Sequence, residues 1–332
     1  MSSSSLLFPV PVAGPPVTRR RLFHLTTGSA AVLALAACGG NGAAPAGATR
    51  TVEGATGPVR IPTDPQRVVA TDFYTTYALL DVGFTVVATA RATVGGVLPS
   101  LQAAYDALPQ IGSPAEPSLE AIAAQRPDLI LGTLVPNLPA GIAERFAAVA
   151  PTLLFEAGAS PGTWQERAVR AADAVGRREA AEQLRDRYTA RAAEIGGRHR
   201  ALLSRIRIGL VRGGPPGTAF VDLPQSWSGV VLDAVGARPA EVAEGRPGAS
   251  TRLSYEELSA VDDCDVLLHL ADTRGGVDGN TAALLGSPTF RALRAARAGN
   301  VYPLPNYYVA HYGQGLAVLD EVDRVLTGYR PD

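Results

Sequence analysis

The chain has 332 residues and a formal net charge of −1, with 30 basic and 31 acidic side chains. That length suits about two domains, and the near-zero charge removes the basic field that nucleic-acid binding requires. All 30 basic residues are arginine, which excludes a P-loop lysine, a Ser-x-x-Lys acylation pair and a Schiff-base lysine.

Chain order begins with three arginines, Arg19, Arg20 and Arg21, followed by the apolar run 22–37 and then Cys38. A charged start, an apolar stretch and small residues before a cut describe a secretory signal, here read over residues 1–37. The apolar run falls short of the roughly 20 residues a bilayer core needs, and His24, Thr26 and Thr27 interrupt it. Leu35-Ala36-Ala37-Cys38 resembles the lipobox of bacterial lipoproteins, in which the cysteine becomes acylated. The stretch 18–23 resembles a twin-arginine export signal. Residues 38–55, rich in Gly, Ala and Pro, read as a flexible tether. With Cys38 lipidated, Cys264 stands alone, which leaves neither an intramolecular disulfide nor a zinc cluster. Its setting, DDCDVLLHL, suggests a small buried residue at a strand entrance.

From residue 65 onward short apolar runs alternate with helical patterns. Strands are expected at 68–71, 85–90, 128–133, 152–155, 206–211, 265–270 and 300–304. They are apolar throughout, as strands covered on both faces are. Helices are expected at 75–81, 119–125, 142–149 and 313–326, and the alternation predicts α/β layers. Between 163 and 204 no strand pattern occurs. Leu184, Tyr188, Ala192, Ile195, His199 and Leu202 recur at steps of three and four, which predicts a long amphipathic helix, with a kink possible at Gly196-Gly197. It divides an N-terminal lobe, 56–176, from a C-terminal lobe, 205–332, with the connecting helix over 177–204.

The halves echo each other. SLEAIAAQRPDLILG (118–132) and SYEELSAVDDCDVLLHL (254–270) both read as a capped helix leading into a buried strand. Ser118 with Glu120 and Ser254 with Glu256 supply suitable helix-start chemistry.

These pieces resemble the periplasmic-binding-protein family that delivers ferric siderophores, heme and cobalamin to ABC importers. The resemblance runs in order through residues 60–328. PQRVVATDFYTTYALLDVGFTVVATA matches the opening, IGSPAEPSLEAIAAQRPDLILG the Gly-Ser, Glu-Pro and Pro-Asp-Leu-Ile segment, VRGGPPGTAFVDLPQSWSGVVLDAVGARP the siderophore branch, and SPTFRALRAARAGNVYPLPNYYVAHYGQGLAVLDEV the terminal segment. It implies two Rossmann-like α/β lobes joined by one long α-helix, with the ligand cleft between them. It implies no enzymatic activity and no resident cofactor, with Fe(III) bound only through the siderophore. Its partners would be the ferric siderophore, the ABC permease subunits and the membrane through the lipid anchor, and the protein would be a monomer on the outer face of the cytoplasmic membrane. Glu120 and Glu256 match the family's pair of lobe-surface acids that dock on permease arginines; stabilising the helix dipole is a role they can hold as well. The terminal loop departs from the pattern, with Tyr307-Tyr308 and His311-Tyr312-Gly313 where a Trp and paired glycines are frequent.

Ligands of α/β sheets bind beyond the carboxyl ends of the strands. That rule nominates Tyr74 after the first strand, Arg91 after the second, Arg212 after the strand following the long helix, and Arg274 after 265–270. It adds Trp227 at a helix start and the loop residues Tyr307, Tyr308, His311 and Tyr312. Arginine forks suit chelate oxygens, and aromatic faces suit rings and apolar chains. At least two of the four loop aromatics are expected to face a ligand. His199 and His269 read as structural. A single histidine, His311, makes a poor direct metal site. The alternatives are heme, with a Tyr or His of 307–312 on the iron, cobalamin, or an exported hydrolase, for which no nucleophile and base pair is visible.

Overall fold

The computed structural model describes residues 47–92, 96–134, 138–156 and 161–331. Cys38 and the export signal lie outside these residues. The first element is an antiparallel hairpin, Thr49–Gly54 paired with Gly57–Pro62. Its return is possible because Gly57 takes φ 100°, a conformation that costs glycine little. The hairpin is tied to the body of the protein by Ala55 N–H donating to the Leu154 carbonyl at 2.7 Å. The tether read over 38–55 therefore does not continue through 49–54. The Thr-Arg-Thr-Val-Glu alternation is a strand with one face against the protein, and its polar composition concealed it.

The N-terminal sheet is four-stranded and wholly parallel, in the order Ala88–Thr89, Val68–Ala70, Leu129–Leu134 and Thr152–Glu156. Successive side chains of a strand point to opposite faces. Val68, Ala70, Leu129, Leu131, Leu153 and Phe155 enter one core, and Val69, Ala88, Ile130 and Leu154 enter the other. Both faces are buried, which explains why these segments read as continuous apolar runs.

The C-terminal sheet has five strands, ordered Ser250–Ser254, Thr218–Asp222, Ile208–Gly213, Val266–Leu270 and Val301–Leu304. The last three are parallel, while Thr218–Asp222 runs antiparallel to both its neighbours. The mixed edge was not expected. Its strands carry Thr, Asp, Ser and Arg, so they lack the apolar signature of the buried ones. Cys264 is fully buried at the entrance of Val266–Leu270.

The helical stretch divides into Trp164–Ala174, Arg178–Arg198 and Arg200–Leu203. Gly196 and Gly197 remain helical and the break falls at His199. A Cβ on Gly196 would lie 2.8 Å from the Val235 carbonyl oxygen, so this glycine permits close approach to the C-terminal lobe instead of a kink. His199 binds Asp323 Oδ1 at 2.7 Å, and Asp323 Oδ2 accepts from Arg191 and Arg198. This ties the connecting helix to the terminal helix Tyr312–Gly328. Among the described residues no helix is long and apolar enough to cross a membrane.

Three helices meet at one aromatic cluster. Trp164, Tyr188 and Tyr312 stand 5.2–5.8 Å apart between ring centres. Trp164 is fully buried, and its Nε1–H donates to the Trp227 carbonyl at 3.2 Å. Trp164→Ala would leave a large cavity there. The expected loss is about 3–5 kcal/mol of folding stability, measured by denaturant unfolding.

Candidate functional site

The first strand of the N-terminal lobe ends at Ala70, and Asp72 caps the following helix, Phe73–Asp81. Asp72 Oδ1 accepts from Thr75 N–H at 2.8 Å, and Oδ2 accepts from Thr133 N–H at 2.6 Å. This fixes Tyr74 in the first turn, half-buried and beyond the strand ends. Trp227, a residue of the other lobe, acts on the Tyr74 hydroxyl and lowers the phenol's pKa against the effect of burial. Trp227 meets Tyr308 edge-on at 4.9 Å. Tyr74, Trp227 and Tyr308 thus form a partly exposed aromatic wall spanning both lobes.

Two guanidinium groups back this wall. Arg212, near the end of Ile208–Gly213, donates from Nε to Asp222 Oδ1 at 3.1 Å and from Nη2 to Ser250 Oγ at 3.3 Å. Its Cζ lies 4.2 Å from the centre of the Phe220 ring, and its charge favours ionisation of the Tyr308 hydroxyl against burial. Arg167, on Trp164–Ala174, is only 8 % exposed and lies 5.4 Å from the centre of the Tyr74 ring. Burial opposes its charge, and Asp72 and Tyr74 favour it. Each arginine thus has a carboxylate behind it.

Electrostatics follow from burial. Tyr74 and Tyr308 are raised above the usual tyrosine value, first by burial, so both hydroxyls stay protonated at neutral pH. Burial pushes the Asp222 carboxyl up to about 6 from its ordinary 3.8, although Arg212 pulls it down.

Arg91 is exposed, with its backbone N–H on the Gly112 carbonyl. Arg274 is exposed in a turn held by Asp272, which accepts from the N–H groups of Arg274 and Gly276. That turn faces the opposite lobe: a Cβ on Gly96 would lie 2.8 Å from Thr273. The terminal loop is corrected more strongly. Tyr307 is 1 %, His311 0 % and Tyr312 3 % exposed, so these three are not contact surface, and Tyr308 alone of the four keeps an exposed part. The physical reason is the seam between the lobes. His311 Nδ1 lies 2.8 Å from Asp81 Oδ2, which also accepts Gly313 N–H. Tyr312 completes the aromatic cluster, and the Tyr307 carbonyl accepts the Ser228 hydroxyl at 2.6 Å.

Sequence reasoning missed Arg167, Phe220 and Asp222. Arg167 carries no local signal, because its place is set by Tyr74, far away in the chain. Asp222 had a usable signal: Ala70-Thr71-Asp72 and Phe220-Val221-Asp222 both end an apolar run with an aspartate.

Glu120 and Glu256 are both exposed, at the starts of Leu119–Ala124 and of the short 3₁₀ turn Tyr255–Val261. In the second lobe Glu257, not Glu256, closes the capping box with Ser254, its carboxylate accepting Ser254 N–H at 2.8 Å. Among the described residues no three His, Cys, Asp or Glu side chains converge as a metal site.

Asp222 carries a pH signature. A carboxyl with a raised pKa favours the fold while protonated; that contribution is whole below about pH 4 and is lost as pH rises through about 6. The stability of the native protein relative to Asp222→Asn should therefore fall between about pH 4 and pH 7. Thermal unfolding of both proteins across that range measures it.

Comparison with known proteins follows this geometry. Residues 68–308 match the family described as Periplasmic binding protein. The "Probable siderophore-binding lipoprotein YfiY" of Bacillus subtilis (strain 168) is 26% identical, covering 82% of this chain and 86% of the relative. The siderophore periplasmic binding protein from the fuscachelin gene cluster of Thermobifida fusca superposes with a TM-score of 0.72 at 28% identity, covering 80% of this chain and 98% of that one. Staphylococcus aureus SirA, solved with staphyloferrin B, shares the fold with a TM-score of 0.69 at 18% identity, covering 84% and 99% of the two chains. A two-lobed α/β body whose lobes meet across an aromatic wall, matched over residues 68–308, identifies this chain as a member of the periplasmic binding protein family.

Proposed function

We propose that this protein is a lipid-anchored, extracytoplasmic receptor that captures a ferric siderophore and hands it to an ABC importer, without catalysing a reaction. The observation that carries this reading is the wall of Tyr74, Trp227 and Tyr308 drawn from both lobes and backed by Arg212. Flat aromatic faces cover the organic frame of a chelate, and the phenol and guanidinium N–H and O–H groups suit its oxygen donors. The iron would arrive already chelated. The family and the similar lipoprotein of Bacillus subtilis support this reading over heme, cobalamin or hydrolysis. Glu120 and Glu256, exposed on different lobes, are proposed as docking points for permease arginines. A surface groove of about 250 Å³ lies beside Glu256, lined also by Tyr255, Ser259 and Asp262.

Ligand capture and docking separate by mutation. Arg212→Ala and Tyr308→Ala should each weaken ferric-siderophore binding about tenfold or more, read by quenching of tryptophan fluorescence. Glu120→Ala with Glu256→Ala should leave that titration unchanged and lower siderophore uptake by cells. Loss of binding in the double glutamate variant would overturn the division.

The anchor is tested at Cys38. Cys38→Ser should abolish incorporation of a palmitate analogue, whereas the native protein is labelled. Equal labelling of both would remove the lipoprotein assignment.

A further inference from the structure

The charges that face the aromatic wall are nearly balanced. Arg212 is held 3.1 Å from Asp222, whose side chain is fully buried, so this carboxylate cannot swing out to solvent. Two of the five N–H donors of Arg212 are engaged, Nε with Asp222 and one on Nη2 with Ser250, and its flat face lies on Phe220. Arg167 is pinned against Tyr74 with Asp72 within electrostatic reach. A third carboxylate, Asp278, caps the helix Gly279–Gly286 through Asn280 and Thr281 N–H, and its field acts on Tyr308. Two guanidinium groups are thus set against two buried carboxylates, Asp222 and Asp72, with the exposed Asp278 adding a weaker, solvent-screened negative field. Arg91 and Arg274, the candidate rim cations, are exposed, where water and salt weaken their pull.

We infer that this cleft takes a ferric chelate of low net charge, of the tris-hydroxamate kind, and discriminates against trianionic tris-catecholate chelates. The inference rests on the siderophore reading above and specifies its substrate class. Three hydroxamates, each losing one proton, neutralise ferric iron, whereas three doubly ionised catecholates leave three negative charges on the complex. A desolvated trianion at the wall would meet no net positive charge there, because Asp222 offsets Arg212 and the field of Asp72 offsets Arg167. A neutral chelate meets no such opposition. Its amide-like oxygens can accept from the tyrosine hydroxyls, which burial keeps protonated, and its methylene chains can lie on the rings.

The test titrates the full-length protein in detergent with three ferric chelates, a neutral tris-hydroxamate, a trianionic tris-catecholate and citrate, following tryptophan fluorescence. The hydroxamate should bind at least about tenfold more tightly than the catecholate. Added salt should strengthen residual catecholate binding, because screening relieves repulsion, and leave hydroxamate binding level. Asp222→Asn should move the ratio severalfold toward the catecholate, and Asp278→Asn, which alters an exposed cap, should move it the same way by less. Equal or tighter catecholate binding by the native protein would overturn the inference while leaving the siderophore reading intact. So would an unchanged ratio in both variants. If none of the three chelates binds, the siderophore reading itself fails and this inference falls with it.

Discussion

The packing of Trp164, Tyr188 and Tyr312 is the constraint on which the other features depend. Each ring comes from a different helix, and Gly315 lets them close. A Cβ there would sit 3.0 Å from both Trp164 and Tyr188. The indole of Trp164 holds the Trp227 carbonyl, and the Tyr312 hydroxyl donates to the Gln165 carbonyl at 3.2 Å. The cluster therefore sets the positions of the connecting helix, the start of the terminal helix and the loop that presents Trp227. Buried aromatic side chains contribute large apolar areas and defined edge-to-face geometry, so such a junction resists small rearrangements.

A polar seam lies alongside it. Asp81, at the end of the first helix, receives His311 and Gly313 from the terminal segment, and Gln314 Nε2 donates to the Gly96 carbonyl at 2.7 Å while its Oε1 accepts Ala310 N–H. The contacts of the terminal segment with Asp81 and Gly96 cross between the lobes where the chain itself does not. They explain why a loop full of aromatics is mostly interior. The aromatic wall is left open only on the side beyond the strand ends, where Tyr74, Trp227 and Tyr308 keep partial exposure. Arg212 is presented there in a single orientation because its carboxylate, its hydroxyl partner and its stacking ring all come from neighbouring strands of one sheet.

Much of this was readable before folding. Every strand expected from an apolar run is present within a few residues, from Val68–Ala70 to Val301–Leu304, because a strand covered on both faces has no choice but to be apolar throughout. The missed strands include Thr49–Gly54, Gly57–Pro62, Thr218–Asp222 and Ser250–Ser254, edge or hairpin strands whose pairing is made by backbone groups that carry no sequence signature. Within the candidate site, Tyr74, Arg212, Trp227 and Tyr308 follow from position at strand and helix ends. Arg167 does not, since it gains its role from Tyr74, a partner distant in the chain.

By itself the sequence determined the alternation of α and β elements, the separation of two lobes by a helical segment, the family pattern matched over residues 68–308, and the chemical inventory of arginines and aromatics available to the cleft. These are properties of local periodicity and residue type, which persist in any conformation. The tertiary structure decided which aromatics face solvent, which carboxylate neutralises which arginine, and that His311 closes a seam instead of touching a ligand. Burial and ion pairing depend on distances between segments far apart in the chain, such as Asp81 and His311, and those distances exist only once the cores have packed.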